Sequence, residues 1–353
     1  MKFGIAVPAM HIVDGKYRFD PRSYVAECVA AEKAGFHTAV VGERRIGVTA
    51  YCTSTAVLAG LALANTQTLS FCPMVVQLPL RSPIDVIQDA CVFNAVYPNR
   101  YRLGVGAGYN EHEFELLGVP MTARGRLMDE GLRTMNRFRN GEISVDLGRG
   151  LVPAMDPALG ECRPEIWVGA WTEKGVIRTA READGWLVDP MRTISAVESL
   201  ATVYRKACED YGRKPRICLL REAWIADSDQ SAREEFAPHL VRAHSEYFPR
   251  MRGGWKDKER AAGQPYDVNL DPWVAQMNTK EDLDFRHLVD DRILVGSAST
   301  WNRLFEDWHQ RIRFEELVVR LRFQSGPSPE HTLQAIQSIG SQVIPAWVDE
   351  EPR

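Results

Sequence analysis

The sequence predicts an α/β protein in which eight parallel strands, each followed by a helix, close into a (β/α)8 barrel with an insertion near the carboxyl-end mouth. Three observations lead there. Short β-rich runs alternate with longer helical ones along the chain. The strand runs are almost continuously apolar, as strands covered on both faces are. The alternation recurs eight times, a number that suits closure, with a doubly wound open sheet as the alternative arrangement.

Residues 2–8 read as the first strand and 21–34 as a helix ended by Gly35. Residues 37–42 are the second strand, followed by a helix over about 53–64. The run 68–78 is a third, strongly apolar strand, and 83–96 a helix with Pro83 in its first turn, where the missing N–H has no intrahelical partner to lose. Residues 101–105 are the fourth strand, and a helix with alternating charges covers about 124–139. After a looser section at 141–162, strand-like 164–168 and helical 173–183 resume the rhythm. Strand 185–188, helix 195–211 and strand 216–226 continue it. Residues about 228–290 break the pattern, helical at first and then rich in Gly, Pro, Trp and charge; they read as an insertion within a single domain spanning 1–353. A short run at 293–295 leads into a helix over 300–312, a strand at 317–323 and a last helix from about Pro329.

Composition narrows the class. Hydrophobic residues make up 45% and charged ones 25%, the proportions of an ordinary globular protein. Basic and acidic residues number 43 and 47, so no excess of charge favours nucleic acid or an anionic membrane. Seven scattered cysteines with no Cys-x-x-Cys read as buried reduced thiols of a cytoplasmic protein. The first seven residues read as a strand rather than a signal peptide, and the apolar stretch 55–64 is too short to span a bilayer.

Common catalytic motifs are missing: there is no Gly-x-Ser-x-Gly, P-loop or His-Glu-x-x-His. His112-Glu113-Phe114-Glu115-Leu116 lacks the second histidine one turn on, and no metal site is expected. Two loops carry more information. Gly104, Gly106 and Gly108 alternate just past the fourth strand, ahead of Tyr109 and Asn110. Such spacing either admits a planar or anionic ligand close to the backbone or makes a tight rim turn. In the second loop, Gly169-Ala170-Trp171-Thr172-Glu173-Lys174, Thr172 is a good helix N-cap. N–H groups at such a start can hold phosphate, with Lys174 or Arg124 adding charge, although capping alone also explains Thr172.

Together these stretches resemble the bacterial luciferase-like, flavin-dependent monooxygenase superfamily. The resemblance rests on Asn99 through Tyr109, continuing through Glu113-Phe114-Glu115-Leu116-Leu117-Gly118-Val119-Pro120 to Arg124-Gly125-Arg126. It rests also on Pro164-Glu165-Ile166-Trp167-Val168-Gly169, on Ala183-Asp184-Gly185-Trp186-Leu187 and on Val295-Gly296-Ser297. It implies a TIM-type barrel with a flavin ring at its mouth. The dimethylbenzene edge would approach Gly106, Ala107, Gly108 and Tyr109, and the phosphate would lie near Gly169, Ala170, Trp171, Thr172 and Arg124. A non-proline cis peptide under the ring would fall at Met74–Val75, followed by Val76 and Gln77.

Two departures limit the carry-over. After the second strand luciferases have Glu-His-His and many relatives Asp-His, whereas this chain has Glu43-Arg44-Arg45. An imidazole base at that position is therefore missing, and Arg44 would instead hold an anionic substrate or a flavin-peroxide oxygen, or else pair with Glu43 or Glu27. Gly106 also stands where luciferase has its reactive cysteine, so light emission is not expected. Near the last strand Arg320 and Arg322 alternate with apolar residues and so share a face, which is expected to meet Glu43 or an acidic substrate. The catalytic candidates are thus Arg44, Glu43 and Arg322, and the substrate candidates His11, Gln77, Asn110 and Arg320. Asp14 and Tyr17 are further mouth candidates, and Trp255, Trp273 and Arg252 a candidate lid against water.

The activity implied is oxygenation of a small organic, acidic or polar substrate. Reduced FMN would act as cosubstrate with O2 through a C4a-(hydro)peroxyflavin. A separate NAD(P)H-flavin reductase is expected to supply the electrons, since no segment reads as a pyridine-nucleotide site. Homodimerisation, with 55–64 as one candidate surface, is expected from the family. A deazaflavin-dependent dehydrogenase or reductase on the same barrel, or a non-catalytic flavin-binding subunit, are the alternatives.

Overall fold

Eight apolar runs become the staves of a parallel barrel: β1 (Lys2–Ala6), β2 (Thr38–Val41), β3 (Ser70–Pro73 and Val76–Gln77), β4 (Leu103–Gly106), β5 (Ile166–Gly169), β6 (Gly185–Val188), β7 (Ile217–Ile225) and β8 (Glu316–Arg320). The computed structural model describes residues 1–13, 16–46, 52, 54–146, 148, 150–156, 159–160, 162–253, 284–289 and 291–347. β8 pairs with both β1 and β7, and the ring closes through β3. The first piece of β3 pairs with β2 and its second piece with β4, with a bridge between Phe71 and Tyr101 as well. The break between the two pieces is the Met74–Val75 peptide, which is cis.

The two-residue period of the strands sorts their side chains into two cores. Val40, Cys72, Trp167, Leu187, Cys218, Leu220 and Val318 point inward and fill the barrel. The alternate residues, among them Phe3, Ile5, Val105, Ile166 and Leu219, pack outward under the helices. One step further along the inward rows lies the mouth, where Gly42, Met74, Gly106, Gly169, Glu222 and Arg320 follow in the same alternation. Those inward rows therefore deliver glycines on β4 and β5 and charges on β7 and β8.

The helices start where side chains can satisfy their first N–H groups. Asp20, Ser82, Thr172, Thr193 and Ser328 each accept such a bond. Helices Pro83–Val96 and Arg124–Arg139 have the predicted bounds, and the other predicted elements shift by a few residues at their ends.

Four features differ from the reading of the sequence. The first loop contains a hairpin, Met10–Val13 with Lys16–Phe19, tied to the last loop by a bond from the Ile12 N–H to the Gln324 carbonyl (2.8 Å). The looser section holds a second hairpin, Ser144–Asp146 with Leu151–Pro153, whose residues are all exposed and so carry no burial pattern. Glu111–Leu116 forms a short helix in the loop after β4. The first part of the assigned insertion is the helix Asp229–Gly253. It buries Ala232, Phe236, Leu240 and Ala243 at helical spacing, and Trp224 of β7 stacks on Phe236. That helix is therefore part of the barrel's covering layer.

All seven cysteines are free thiols, and six of them are buried. Helix Thr55–Ala64 turns Leu58, Ala59, Ala62 and Leu63 into the core. Among the described residues no helix is long and apolar enough to cross a membrane, and no cluster of side chains could hold a metal ion.

Candidate active site

A recess opens at the carboxyl ends of the strands, lined by Ala6, Val7, Pro8, Val40, Val41, Gly42, Met74, Leu220, Arg320 and Arg322. The predicted shared face of the two arginines is thus present. Their partners differ from the expectation. Arg322 donates to Glu27 of the first helix, contacts the His11 ring and donates to the Pro8 carbonyl at 3.2 Å. Arg320 lies 3.4 Å from Glu222. Neither meets Glu43.

Burial dominates the electrostatics of this side. It raises the Glu27 carboxyl to about 7, against the attraction of Arg322, and it lowers His11 to about 4, with Arg322 adding to the effect. Glu222 is 1% exposed and His244 2%, with Glu222 Oε2 2.8 Å from His244 Nε2. Burial alone would raise Glu222, but His244, Arg320 and Arg292 outweigh it and hold the carboxyl below its ordinary value.

The opposite side is built around two buried glutamates. Glu43 Oε1 accepts from Arg45 (2.8 Å) and from Arg81, while Oε2 accepts the Gln77 backbone N–H (2.7 Å). Glu113 Oε1 accepts the backbone N–H of Arg45 (2.6 Å) and of Ile46 (3.3 Å), and its Oε2 accepts from Gln77 Nε2 (2.8 Å). Together they join the loops after β2, β3 and β4. A carboxylate already accepting several short bonds is occupied as a framework acceptor. Glu43, expected as a catalytic group, has this position.

Arg44 pairs with neither Glu43 nor Glu27. Its guanidinium donates to the Tyr109 hydroxyl, with the carbon 5.1 Å from the ring centroid. Tyr109 in turn packs on Trp171 at 5.4 Å between centroids. The sequence candidates Arg44, Tyr109 and Trp171 are thereby brought together as one flank of the mouth. Gln77 is held beside them through Glu43 and Glu113, and Asn110 caps the short helix Glu111–Leu116 without a side-chain bond.

The alternate glycines have a specific geometric cause. A Cβ on Gly106 would lie 2.5 Å from Val75 Cγ2, and one on Gly169 would lie 3.1 Å from Val75 Cγ1. Val75, carried inward by the cis step, occupies the clearance that the two glycines leave. Gly108 has φ +73°, which disfavours any other residue, and its α-carbon faces Gln77 and Phe114. Ala107 is partly buried against the outer core.

Thr172 accepts the Gly175 N–H (3.1 Å), as an N-cap should. Arg178 of the same helix reaches the Gly125 carbonyl (3.4 Å) and Asp129 (2.8 Å), which sets Arg124 beside that helix. Arg124 is half-buried and makes no ion pair or hydrogen bond with another described residue; burial lowers its pKa. Asp14, Trp255 and Trp273, together with the side chain of Arg252, lie outside the described residues.

Glu27, Arg81, Glu113, Glu222 and His244 carry structural or electrostatic weight that the sequence reading did not assign. Alternation along β7 from Cys218 and Leu220 could have pointed to Glu222. Nothing local marks His244.

Comparisons with known proteins bear on the family and the fold. A family model described as luciferase-like monooxygenase matches residues 1–312. An uncharacterised protein of Sinorhizobium fredii, y4vJ, is 24% identical over 335 residues, covering 92% of this chain and 91% of its own. The oxygenase component of a flavin-dependent trigonelline monooxygenase from Acinetobacter baylyi is 24% identical over 194 residues, 53% of this chain and 52% of that one. Among solved structures, the oxygenating constituent of 3,6-diketocamphane monooxygenase from Pseudomonas putida, in complex with FMN, superposes with TM-score 0.77. It is 17% identical and covers 99% of this chain and 100% of that chain. A coenzyme F420-dependent secondary alcohol dehydrogenase has TM-score 0.71 and 14% identity, covering 99% of both chains. At these identities the structural likeness shows the fold.

Proposed function

The chain belongs to the luciferase-like monooxygenase family, and from that premise we propose that it is an oxygenase that takes FMN in its reduced form and uses O2 to oxygenate a small organic substrate. The electrons come from a separate NAD(P)H-flavin reductase. An FMN-bound structural neighbour and an oxygenase-component relative support FMN and the separate reductase.

The observation that carries the reading is Arg124, a half-buried cation with no described partner, next to Gly125, whose carbonyl the Arg178 side chain of the helix Glu173–Glu182 reaches. The Glu173 and Lys174 N–H groups open that helix and lack intrahelical acceptors. A phosphate monoester supplies the anion that both features lack. The residues therefore fit the group. Arg124 and the backbone from Gly169 to Thr172 would hold the phosphate, and the flank of Tyr109 and Val75 would face the ring. When bound, the reduced flavin supplies the two electrons with which O2 yields one oxygen atom to substrate and one to water.

The chain's own contribution is placement and exclusion of water. Glu43 and Glu113 fix the loops after β2, β3 and β4 relative to one another, so Val75 and Gln77 hold a fixed place at the mouth. Arg44, stacked on Tyr109, sets a permanent positive charge where many relatives have histidine, and it stabilises negative charge without accepting a proton. The apolar walls of the recess keep the reacting region dry.

Anaerobic titration of the purified protein with reduced FMN, oxidised FMN and a deazaflavin tests the reading. Preferential binding of reduced FMN is expected. Tight binding of the deazaflavin alone would replace the proposal with a dehydrogenase or reductase, and binding of none would leave a non-catalytic subunit.

A further inference from the structure

The recess at the barrel mouth is too small for an organic substrate. It leaves about 20 Å³ for the centre of a molecule the size of water, which is room for one molecule of one or two light atoms. Its walls say which molecule suits it. Ala6, Val40, Val41 and Leu220 make them apolar, and among the described residues no carboxylate, hydroxyl or amide side chain lines it. The charged lining consists of Arg320, which is engaged with Glu222, and Arg322.

Arg322 carries the donor that the recess can use. Its Nη2 donates to Glu27 and to the Pro8 carbonyl, and its Nη1 contacts the His11 ring. Its Nε, on a side chain 1% exposed, has no hydrogen-bond partner. A buried N–H without an acceptor is costly, and the recess is the open space that this side chain borders. Burial lowers His11 to about 4 and raises Glu27 to about 7. Near neutral pH His11 is therefore uncharged, and Glu27 cancels only part of the guanidinium charge.

A water molecule in the recess would accept from Arg322 and find no side-chain acceptor for its own hydrogens. Dioxygen suits both halves of the lining, because it is apolar on arrival and anionic once reduced. We infer that the recess holds the dioxygen of the proposed oxygenation and that Arg322 stabilises the negative charge it acquires there. Reduced FMN gives one electron to O2, which becomes the superoxide anion; the flavin is oxidised by one electron, and no proton moves. Among apolar walls the anion feels the guanidinium more strongly than it would in water, and the barrier to the electron transfer falls. Glu27 and the Pro8 carbonyl act as positioning groups that hold the guanidinium from its far side. The inference rests on the oxygenase reading and names the place and the partner of its O2. Met74, which lines the recess, directly precedes Val75, the residue proposed to face the flavin ring.

Chloride, a one-atom anion, is the probe, and gluconate, too large to enter, is its control. The full chain loaded with reduced FMN is mixed with graded oxygen, and the rate at which reduced-flavin absorbance is lost is plotted against oxygen concentration. Chlorine NMR line width of the flavin-free protein reports chloride binding directly. In the wild type, chloride should lower the slope at least threefold relative to equal gluconate, and the protein should broaden the chloride line. Arg322→Met should lower the slope at least tenfold, keep its FMN affinity and lose both chloride effects. Ala6→Val, which fills the recess and leaves the pair with Glu27 in place, should also lower the slope and weaken both chloride effects. Equal wild-type slopes in chloride and gluconate overturn the inference, a comparison that needs no variant to fold. An unchanged slope in Arg322→Met overturns it as well. Failure to bind reduced FMN at all would contradict the oxygenase reading and the oxygen assignment with it, whereas normal FMN binding without a chloride effect overturns the assignment of the recess alone.

Discussion

Replacing Gly106 by alanine tests whether the glycine spacing exists to clear Val75. The added Cβ would stand 2.5 Å from Val75 Cγ2, where carbon atoms ordinarily keep about 3.5–4.0 Å. Val75 lies between the two glycines, since a Cβ on Gly169 would stand 3.1 Å from its Cγ1. An overlap of about an ångström costs about 1–3 kcal/mol by the usual cost of overpacking. Val75→Ala removes both offending methyls, leaving Val75 Cβ at 3.4 Å, an ordinary contact. Urea unfolding of the wild type, both single variants and the double variant closes a double-mutant cycle. The double variant should recover at least about 1 kcal/mol relative to the sum of the singles, and Gly106→Ala alone should weaken FMN binding by displacing Val75 into the mouth. Additivity within about 0.5 kcal/mol would refute the reasoning, because the two positions would then be independent.

Three further outcomes follow from the same contacts. Glu113→Ala strips acceptors from two backbone N–H groups and Gln77, and urea unfolding should show a loss of about 3 kcal/mol; Glu113→Gln, which keeps one acceptor oxygen, should lose clearly less. Arg124→Met should reduce FMN affinity at least tenfold and leave riboflavin, which has no phosphate, unaffected; equal losses for both ligands would remove Arg124 from the phosphate site. His11 is depressed from 6.5 to about 4 in the fold, so its contribution is complete above pH 6.5 and is lost as pH falls toward 4, by up to about 3 kcal/mol. Glu27, raised to about 7, has the opposite sign: its contribution is present below about 4.5 and is lost as pH rises through 7. Stability of His11→Asn should therefore decline less than that of wild type between pH 6.5 and 4, and parallel curves would count against the assignment.

Local patterns made the barrel legible in the sequence, because apolar runs and helical stretches are each set by nearby residues. Helix bounds held best where Pro83 and Ser82 mark a start. The two hairpins escaped because their strands are only three or four residues long and one of them is wholly exposed. At the site, period two correctly put Arg320 and Arg322 on one recess. Their partners were not legible: Glu27 lies 295 residues from Arg322 and Glu222 lies 98 from Arg320. The run Glu43-Arg44-Arg45 shows the same limit, since Arg45 rather than Arg44 turned to Glu43 while Arg44 turned to a tyrosine 65 positions away. Glycine spacing after β4 was visible, but its geometric cause, a valine delivered by another strand, emerges only when β3 and β4 are paired.

The most direct test of the oxygenase reading is to load the protein with reduced FMN anaerobically, mix it with oxygenated buffer and follow the return of oxidised-flavin absorbance. If the barrel mouth binds reduced FMN and excludes water, that absorbance returns more slowly than from free reduced FMN at the same oxygen concentration, and Arg44→Ala shortens the delay. Return at the rate of free reduced FMN, with wild type and Arg44→Ala alike, would contradict it.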